Sequence, residues 1–240
     1  MASGELNPED GGKLQDWIAS QAKRGSLPIY PLKFPETYGS SATPRRVDVR
    51  GASTTRRPDS GILELWRPER LHADDRLAQE LIEMAVAEDP REFVRVAETG
   101  SEVIAAEWES SIAEPGLRVI GPGGRIMVAH EARGTTAEIV IRKRDGAVTS
   151  HWRSTDDLIA SIARRIAERA SGAVSVAEAT FGYFELSKHE RQEWLRPAFM
   201  VSIELSIDGD ERIRWIETIV EPATESFRIQ PADGFGSWFG

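Results

Sequence analysis

The sequence predicts an α+β fold in which a unit of one helix and an antiparallel sheet occurs twice, with extended N- and C-terminal tails. Apolar residues recur at helical spacing in two segments, at about 72–89 and between Ser154 and Gly172. Alternating apolar and polar residues, typical of strands with one buried face, follow each segment. A shift of 80 residues aligns 76–99 with 156–179 at seven identical positions, so two copies of one unit are expected.

These patterns divide the chain of 240 residues into three parts. They are an appendage at 1–60, an α+β domain at 61–226 and an aromatic tail at 227–240. Within the domain, repeat 1 covers about 61–153 and repeat 2 about 154–221. Because 40% of the residues are apolar and none is cysteine, a core without disulfides or thiolate chemistry is expected.

The appendage combines a short helix with an extended arm. Apolar residues on one face predict a helix over 12–24. The next stretch, SLPIYPLKFPETYGSSATP, contains four prolines and favours extended backbone. The arm then carries five arginines against one aspartate, and it either grips an acidic partner or is a solvated linker. The arginines are Arg45, Arg46, Arg50, Arg56 and Arg57.

Repeat 1 begins with the strand-like sequence GILELWRP and a helix over 72–89, which Pro90 ends. Asp145-Gly146 predicts a two-residue hairpin between two strands. Strands are expected on both sides of the Gly-Pro-Gly-Gly sequence at 121–124 and at about 93–98, 102–111, 136–143 and 147–153.

Repeat 2 begins where Ser154 can accept a hydrogen bond as the N-cap of a helix that ends near Gly172. Long strands are expected at about 174–186, 197–207 and 212–220.

The segments VIGPGGRIMV…RDGAVTSHWR and FGYFELSKHERQEWLRPAFMVSIEL resemble PepSY-type domains and YycH/YycI-type tandem domains of two-component regulators. The resemblance covers about residues 72–221. It implies a PepSY- or cystatin-like fold and a non-catalytic role in binding, inhibition or regulation, often outside the cytoplasm. The N-terminus here shows no basic and apolar export signal, so a cytoplasmic location is expected instead.

The Gly-Pro-Gly-Gly sequence at 121–124 raises the possibility of a phosphate-binding loop. A P-loop needs a lysine and a hydroxyl residue leading into a helix. Here Arg125 leads into an apolar strand, and Pro122 lacks an amide donor. The sequence therefore predicts a bend between two strands.

Three side chains are candidates for acid–base chemistry: Glu107, Glu109 and His151. The glutamates flank Trp108 on a predicted strand, so they share one face about 7 Å apart. The same pattern is also that of an ordinary amphipathic strand. No two of the four histidines have metal-ligand spacing, and no serine lies in a nucleophile elbow, so neither a metal nor a cofactor is predicted.

Net charge and aromatic content limit the classes of partner that the sequence favours. The net charge of −9 argues against nucleic acid, and no apolar run is long enough to span a membrane. Aromatic residues at a sheet rim or in the C-terminal tail could contact a peptide. The candidates are Trp108, Tyr183, Trp238 and Phe239.

The sequence thus favours a non-catalytic module that binds a protein or peptide, including an acidic one, through sheet edges and tails. One alternative is an enzyme with a cystatin- or NTF2-like pocket that uses Glu107 or His151 as acid or base. Another is a subunit of a homo- or hetero-assembly in which the tail GFGSWFG fills a groove on a neighbouring copy.

Overall fold

The computed structural model shows a chain that is mostly β. It describes residues 4–32, 45–49, 52–57, 62–67, 75–97, 104–113, 115–131, 134–140, 142–170, 172–186, 190, 192–207 and 210–225. Within these residues there are three helices and fourteen strands. In order they are β1 (Gly4–Leu6), α1 (Pro8–Ala22), β2 (Pro28–Pro31), β3 (Arg45–Val49), β4 (Ala52–Arg57), β5 (Ile62–Arg67), α2 (Asp75–Glu88), β6 (Glu92–Ala97), β7 (Ile104–Ile112), β8 (Leu117–Ile120), β9 (Arg125–Glu131), β10 (Gly134–Val140), β11 (Val148–Thr149), α3 (Thr155–Arg169), β12 (Gly172–Phe184), β13 (Trp194–Ile207) and β14 (Asp210–Pro222).

The chain divides into two compact units, each made of separate stretches of sequence. Unit 1 comprises Met1–Ile29, Thr149–Gly182 and Arg196–Gly240. Unit 2 comprises Tyr30–Val148 and Tyr183–Leu195. No helix in the described part of the chain has the length and apolar character needed to cross a membrane.

Unit 1 packs α1 and α3 with β1 and the long strands that follow α3. β1 lies parallel to β12, and β13 and β14 form an antiparallel hairpin with Ile203 opposite Glu217. The Ser154 side chain accepts a hydrogen bond from the backbone N–H of Asp157, which confirms the predicted N-cap of α3. α3 is held on β14 by Arg165 and Arg169. They pair with Glu221 and Glu217 on that strand, at 3.0 and 2.9 Å.

Unit 2 is built on β7, which lies antiparallel to β6, β8 and β9. From β9 the antiparallel order continues through β10, β5, β4 and β3. The end of β12 joins β8 in parallel, with Tyr183 opposite Val119. α2 covers one face of these strands and buries an apolar cluster. Its members are Ala78, Leu81, Ala85, Trp108, Ile126, Val128, Ala137 and Ile139.

The predicted α+β fold of two repeats is wrong. The chain is mostly β, with three short helices and a mixture of parallel and antiparallel pairs. The helix-then-strand order does occur at α2–β6 and at α3–β12. The pairing, however, differs, because β6 is antiparallel to β7 whereas β12 is parallel to β1 and β8. An amphipathic helix followed by an alternating strand is a local pattern, and it does not specify which strands pair.

The N-terminal segment, expected as a short helix and an extended arm, contains α1 and the strands β2, β3 and β4. In unit 1, Leu14 and Ile18 of α1 are buried. The proline-rich stretch contains β2, whose Tyr30 lies opposite Leu195 of β13. The arginine-rich arm is the β3–β4 hairpin, which pairs with β5. Apolar residues between the prolines give this segment a surface to bury.

The hairpin predicted at Asp145-Gly146 does not form. Gly146 has the positive φ expected of such a turn, at +71°. The backbone N–H of Asp145 nevertheless donates to the carbonyl of Pro31 at 2.7 Å. Arg144 and Leu32 form an isolated antiparallel β-bridge through their backbones. Long-range pairing with β2 and the residue after it therefore overrides the local turn signal.

The Gly-Pro-Gly-Gly sequence links β8 to β9, as predicted, and it packs against the end of β12. The backbone N–H of Gly123 donates to the carbonyl of Glu185 at 2.9 Å. A Cβ atom at Gly123 would lie 2.5 Å from Cγ of Glu185 and 2.6 Å from the carbonyl oxygen of Leu186. The glycine is therefore required by close approach of two backbones, not by a ligand.

We predict that Gly123→Ala lowers the free energy of unfolding by about 2 kcal/mol, because the added methyl group overpacks this contact. Urea denaturation followed by tryptophan fluorescence measures the change. Gly12→Ala is the control, because Gly12 lies in α1 with no atom within 4 Å of the added Cβ. That change should be neutral or stabilising by up to about 1 kcal/mol. Equal effects of the two changes would contradict the steric argument.

Candidate functional site

A cluster of charged side chains is buried in unit 2, where α2 ends and β6 begins. The guanidinium of Arg91 is fully buried, and Nη1 donates to Oε2 of Glu185 at 2.5 Å. Its Nε donates to Oδ2 of Asp89 at 2.9 Å. Both carboxylates are themselves buried. The residue immediately before β6 is thus held by two ion pairs in the interior of the unit.

Two further arginines extend the cluster. The backbone N–H of Arg142 donates to Oε1 of Glu185 at 3.2 Å, and its Nη2 donates to the carbonyl of Glu190 at 2.8 Å. Nε of Arg144 donates to Oδ1 of Asp89 at 2.8 Å. The charges of the cluster therefore draw the segment after β10 toward the end of α2.

Gln192 closes the connection between β12 and β13. Its Oε1 accepts from the backbone N–H of Leu186 at 2.8 Å, and its Nε2 donates to the carbonyls of Phe184 and Trp194 at 2.7 and 2.9 Å. The ends of the two strands are thereby joined by one buried amide.

Burial alone would lower the pKa of Arg91, but the charges and hydrogen bonds of Glu185 and Asp89 outweigh it and raise that pKa. For Arg142, burial dominates and lowers the pKa despite the nearby Glu185. Arginine stays protonated in either case. The arginines of the cluster thus stay charged, and the ion pairs and hydrogen bonds of the cluster hold three chain segments together.

A tyrosine pair adjoins this network. The rings of Tyr30 and Tyr183 lie 5.5 Å apart, and the guanidinium of Arg144 lies 4.8 Å from the centroid of the Tyr30 ring. Burial, followed by the charge and hydrogen bond of Tyr30, raises the pKa of Tyr183 well above its ordinary value of 10.0. The neutral phenol is the form that the folded protein favours.

The surface beside this network is the outer edge of β6, the side of Glu92–Ala97 that faces away from β7. Among the described strands β6 pairs with β7 alone. Val94 and Val96 are 62% and 48% exposed. The register passes from Arg95 opposite Trp108 to Ala97 opposite Glu107, which makes Val96 the extra residue of a bulge. We call this surface the β6 edge.

The β6 edge lies between two different faces. On the face covered by α2, Phe93 packs against the apolar cluster, and the guanidinium of Arg95 lies 5.4 Å from the centroid of the Trp108 ring. On the opposite face, Arg125 bridges Glu107 at 2.8 Å and Glu109 at 3.1 Å. A partner strand at this edge would therefore have an apolar cluster on one face and charged side chains on the other.

The predicted acid–base residues are placed as follows. Glu107 and Glu109 lie on one face of β7 and Trp108 is buried on the other, as the alternation predicted. Both carboxylates are ion-paired with Arg125, which the sequence did not indicate. His151 lies in unit 1, exposed, with its carbonyl accepting from the backbone N–H of Glu225.

The predicted binding residues are also dispersed. Trp108 and Tyr183 are buried, so neither forms an aromatic surface for a peptide. Arg45 lies opposite Arg56, and Arg46 opposite Thr55, in the β3–β4 register. Arg57 lies opposite Ile62 of β5. Arg50, Trp238 and Phe239 lie outside the described residues.

Sequence reasoning missed Arg91, Glu185 and Val94. The sequence EFVRVA at 92–97 carries apolar residues at both odd and even positions, a signal that both faces of this strand are apolar. Nothing in the local sequence links Arg91 to Glu185, which is 94 residues away.

Similarity to known proteins comes from solved structures alone. No family model and no curated protein matches it. A solved structure of an uncharacterised protein from Eubacterium rectale ATCC 33656 is similar, with a TM-score of 0.37 and 10% identity over 85% of this chain and 86% of that one. Likeness at this level defines neither fold nor function. The PepSY-type resemblance stays a prediction.

We predict that Arg91→Met lowers the free energy of unfolding by about 3–5 kcal/mol, because the variant leaves the buried Glu185 without its closest cation. Urea denaturation measures the loss, and the double variant Arg91→Met/Glu185→Met should recover part of it. Arg164→Met is the matched control. It breaks an exposed pair with Glu168, whose side chains are 66% and 58% exposed, and should change stability by less than about 0.5 kcal/mol. Comparable losses in the two single variants would refute the role of Arg91.

The raised pKa of Tyr183 predicts a specific loss of stability in alkali. The unfolded chain releases the phenolic proton near pH 10.0, whereas the folded chain retains it to higher pH. The stability that the raised pKa of Tyr183 contributes is therefore fully present below pH 10. It is lost as pH rises above 10, by up to about 1.4 kcal/mol per pH unit. Tyr183→Phe lacks this dependence.

Urea denaturation of wild type and Tyr183→Phe at several pH values from 8 to 11 tests this prediction. The variant should be less stable by about 1 kcal/mol at pH 8, because it loses the hydrogen bond with Tyr30. That difference in stability should narrow above pH 10, because only wild type loses the stabilisation from Tyr183. Titration of the other groups affects both proteins alike and cancels in the difference. A gap that stays constant to pH 11 would exclude a raised pKa.

Proposed function

We propose that this protein is a non-catalytic binding protein, and that it takes an extended segment of a protein partner as an additional strand on the β6 edge. The observation that carries the proposal is the exposure of Val94 and Val96 on a strand with one described partner. Strand addition satisfies backbone N–H and C=O groups at such an edge, while side-chain contacts give selectivity.

Exposed edge strands are usually protected against pairing by lysine, proline or inward-pointing charge. In β6 the side chains of Val94 and Val96 are exposed and apolar, and the bulge at Val96 interrupts only the far end of the strand. Residues Glu92–Arg95 remain as a short regular ladder. This length suits recognition of a short segment.

The β6 edge is also held in place before any partner arrives. Arg91, the residue before β6, is fixed by its ion pairs with the buried Glu185 and Asp89. Phe93 and the Arg95–Trp108 contact fix one face against the apolar cluster. Because the strand is already ordered, binding does not require ordering it, which favours affinity.

The arrangement of the predicted acid–base residues supports binding over catalysis. Both Glu107 and Glu109 are engaged with Arg125. The cytoplasmic location expected from the sequence is kept as part of this proposal, as is the exclusion of nucleic acid, for which the support is the net charge of −9.

We predict that Val94→Lys weakens partner binding about ten-fold, because the added charge is placed where the partner strand packs. A displayed library of extended peptides is selected on wild-type protein, and the affinity of the recovered peptides is measured for both proteins. Amide hydrogen exchange then reports which residues a peptide protects, and we expect protection at residues 92–95.

Ile216→Lys is the matched control, because Ile216 is 61% exposed on β14 in unit 1. It should leave the affinity unchanged. Failure to recover any peptide, equal affinity for Val94→Lys, or protection confined to other strands would each contradict the proposed function.

A further inference from the structure

Resting on the proposed function, we infer that the partner strand runs antiparallel to β6 and reads acidic, apolar, apolar, basic. These four positions face Arg95, Val94, Phe93 and Glu92 in that order. We further infer that the strand belongs to a different protein and not to a second copy of this chain.

The ladder available to a partner is four residues long. Glu92, Phe93, Val94 and Arg95 pair without a break with Ser111, Ser110, Glu109 and Trp108 of β7. The bulge at Val96 then interrupts the register. Because an added strand needs a regular edge, its contacts are confined to these four positions.

The side chains along this ladder define a charge pattern with opposite signs at its two ends. Glu92 and Arg95 are exposed, and the intervening Phe93 and Val94 are apolar. The side chain of Arg95 is positioned over the Trp108 ring, at the rim of the apolar cluster. Cross-strand neighbours of opposite charge stabilise a pair, and like charges opposite each other destabilise it. The best complement is therefore acidic against Arg95 and basic against Glu92.

Phe93 and Val94 specify the two central positions. Val94 lies on the face of Glu109, whose carboxylate is already paired with Arg125, and Phe93 lies on the face covered by α2. A partner side chain beside either residue contacts an apolar neighbour. Apolar residues at both central positions therefore bury surface on the two faces of the sheet at once.

A second copy of the chain fits this pattern poorly, for a reason of symmetry. The charge match would set Glu92 of one copy opposite Arg95 of the other. Within one strand these two residues are three positions apart, so their side chains lie on opposite faces of the sheet. Facing residues in an antiparallel pair point to the same face, so one copy must be turned over. A copy turned over in this way presents the inner edge of its β6, which is already paired with β7.

A closed two-fold pairing avoids this problem only by losing the charge match. Centred on Val94, it sets Phe93 against Arg95 and Glu92 against Val96. Centred on Arg95, it places two guanidinium groups opposite each other. Neither arrangement joins opposite charges across the interface, so a heterologous strand is the better complement.

Two cyclised β-hairpin peptides test the inference. Each presents one exposed strand, with the core Glu-Val-Val-Lys in the first and Lys-Val-Val-Lys in the second. Cyclisation fixes the strand conformation and reduces the cost of ordering on binding. Affinity for the full chain is measured by fluorescence anisotropy, for wild type and for Arg95→Glu.

Wild type should bind the Glu-Val-Val-Lys hairpin about five-fold more tightly, and Arg95→Glu should prefer the Lys-Val-Val-Lys hairpin by a similar factor. Equal affinity for both hairpins would overturn the charge pattern and leave the proposed function standing. Binding of neither hairpin, together with failure of the peptide selection, would overturn both. Sedimentation of the free protein tests the second copy. A dimer that Val94→Lys dissociates would overturn the choice of a different protein.

Discussion

The buried contact between Arg91 and Glu185 is the constraint on which unit 2 depends. Removing both charges from water costs several kcal/mol per ion, and only close geometry with further hydrogen bonds offsets that cost. Glu185 meets both conditions. Its side chain accepts from Arg91 and from the backbone of Arg142, while its own backbone bonds to Ile120 and Gly123. One residue thus joins the start of β6, the segment after β10 and the glycine-rich link between β8 and β9.

Elements with strong local signals could be predicted from the sequence. Ser154 caps α3, Pro90 follows the end of α2, and the strands on both sides of residues 121–124 occur as expected. The exclusion of a phosphate loop there rested on residue types, yet the physical reason for Gly123 is its contact with Glu185. Local sequence indicates that a bend is needed. The partner that makes glycine necessary lies far along the chain.

Pairing between strands could not be predicted, because long-range charges and backbone contacts decide it. Asp145-Gly146 is a strong turn signal, but Arg144 is held by Asp89 and the chain pairs with Pro31 instead. The same limit applies to the site. Alternation placed Glu107 and Glu109 correctly on one face, whereas their shared partner Arg125 follows from the β7–β9 register. The repeat failed similarly, since similar helix–strand segments acquire different neighbours.

An ordered edge with an exposed apolar side chain is stable only if its support comes from elsewhere. Fully burying a valine contributes about 1.5–3 kcal/mol, so the exposure of Val94 forgoes a part of that amount. The ion pairs of Arg91 and the packing of Phe93 act on the same strand, at its first residues and on its covered face. They hold the backbone of β6 without using its outer edge. The groups that keep this strand in place are therefore separate from those that would contact a partner.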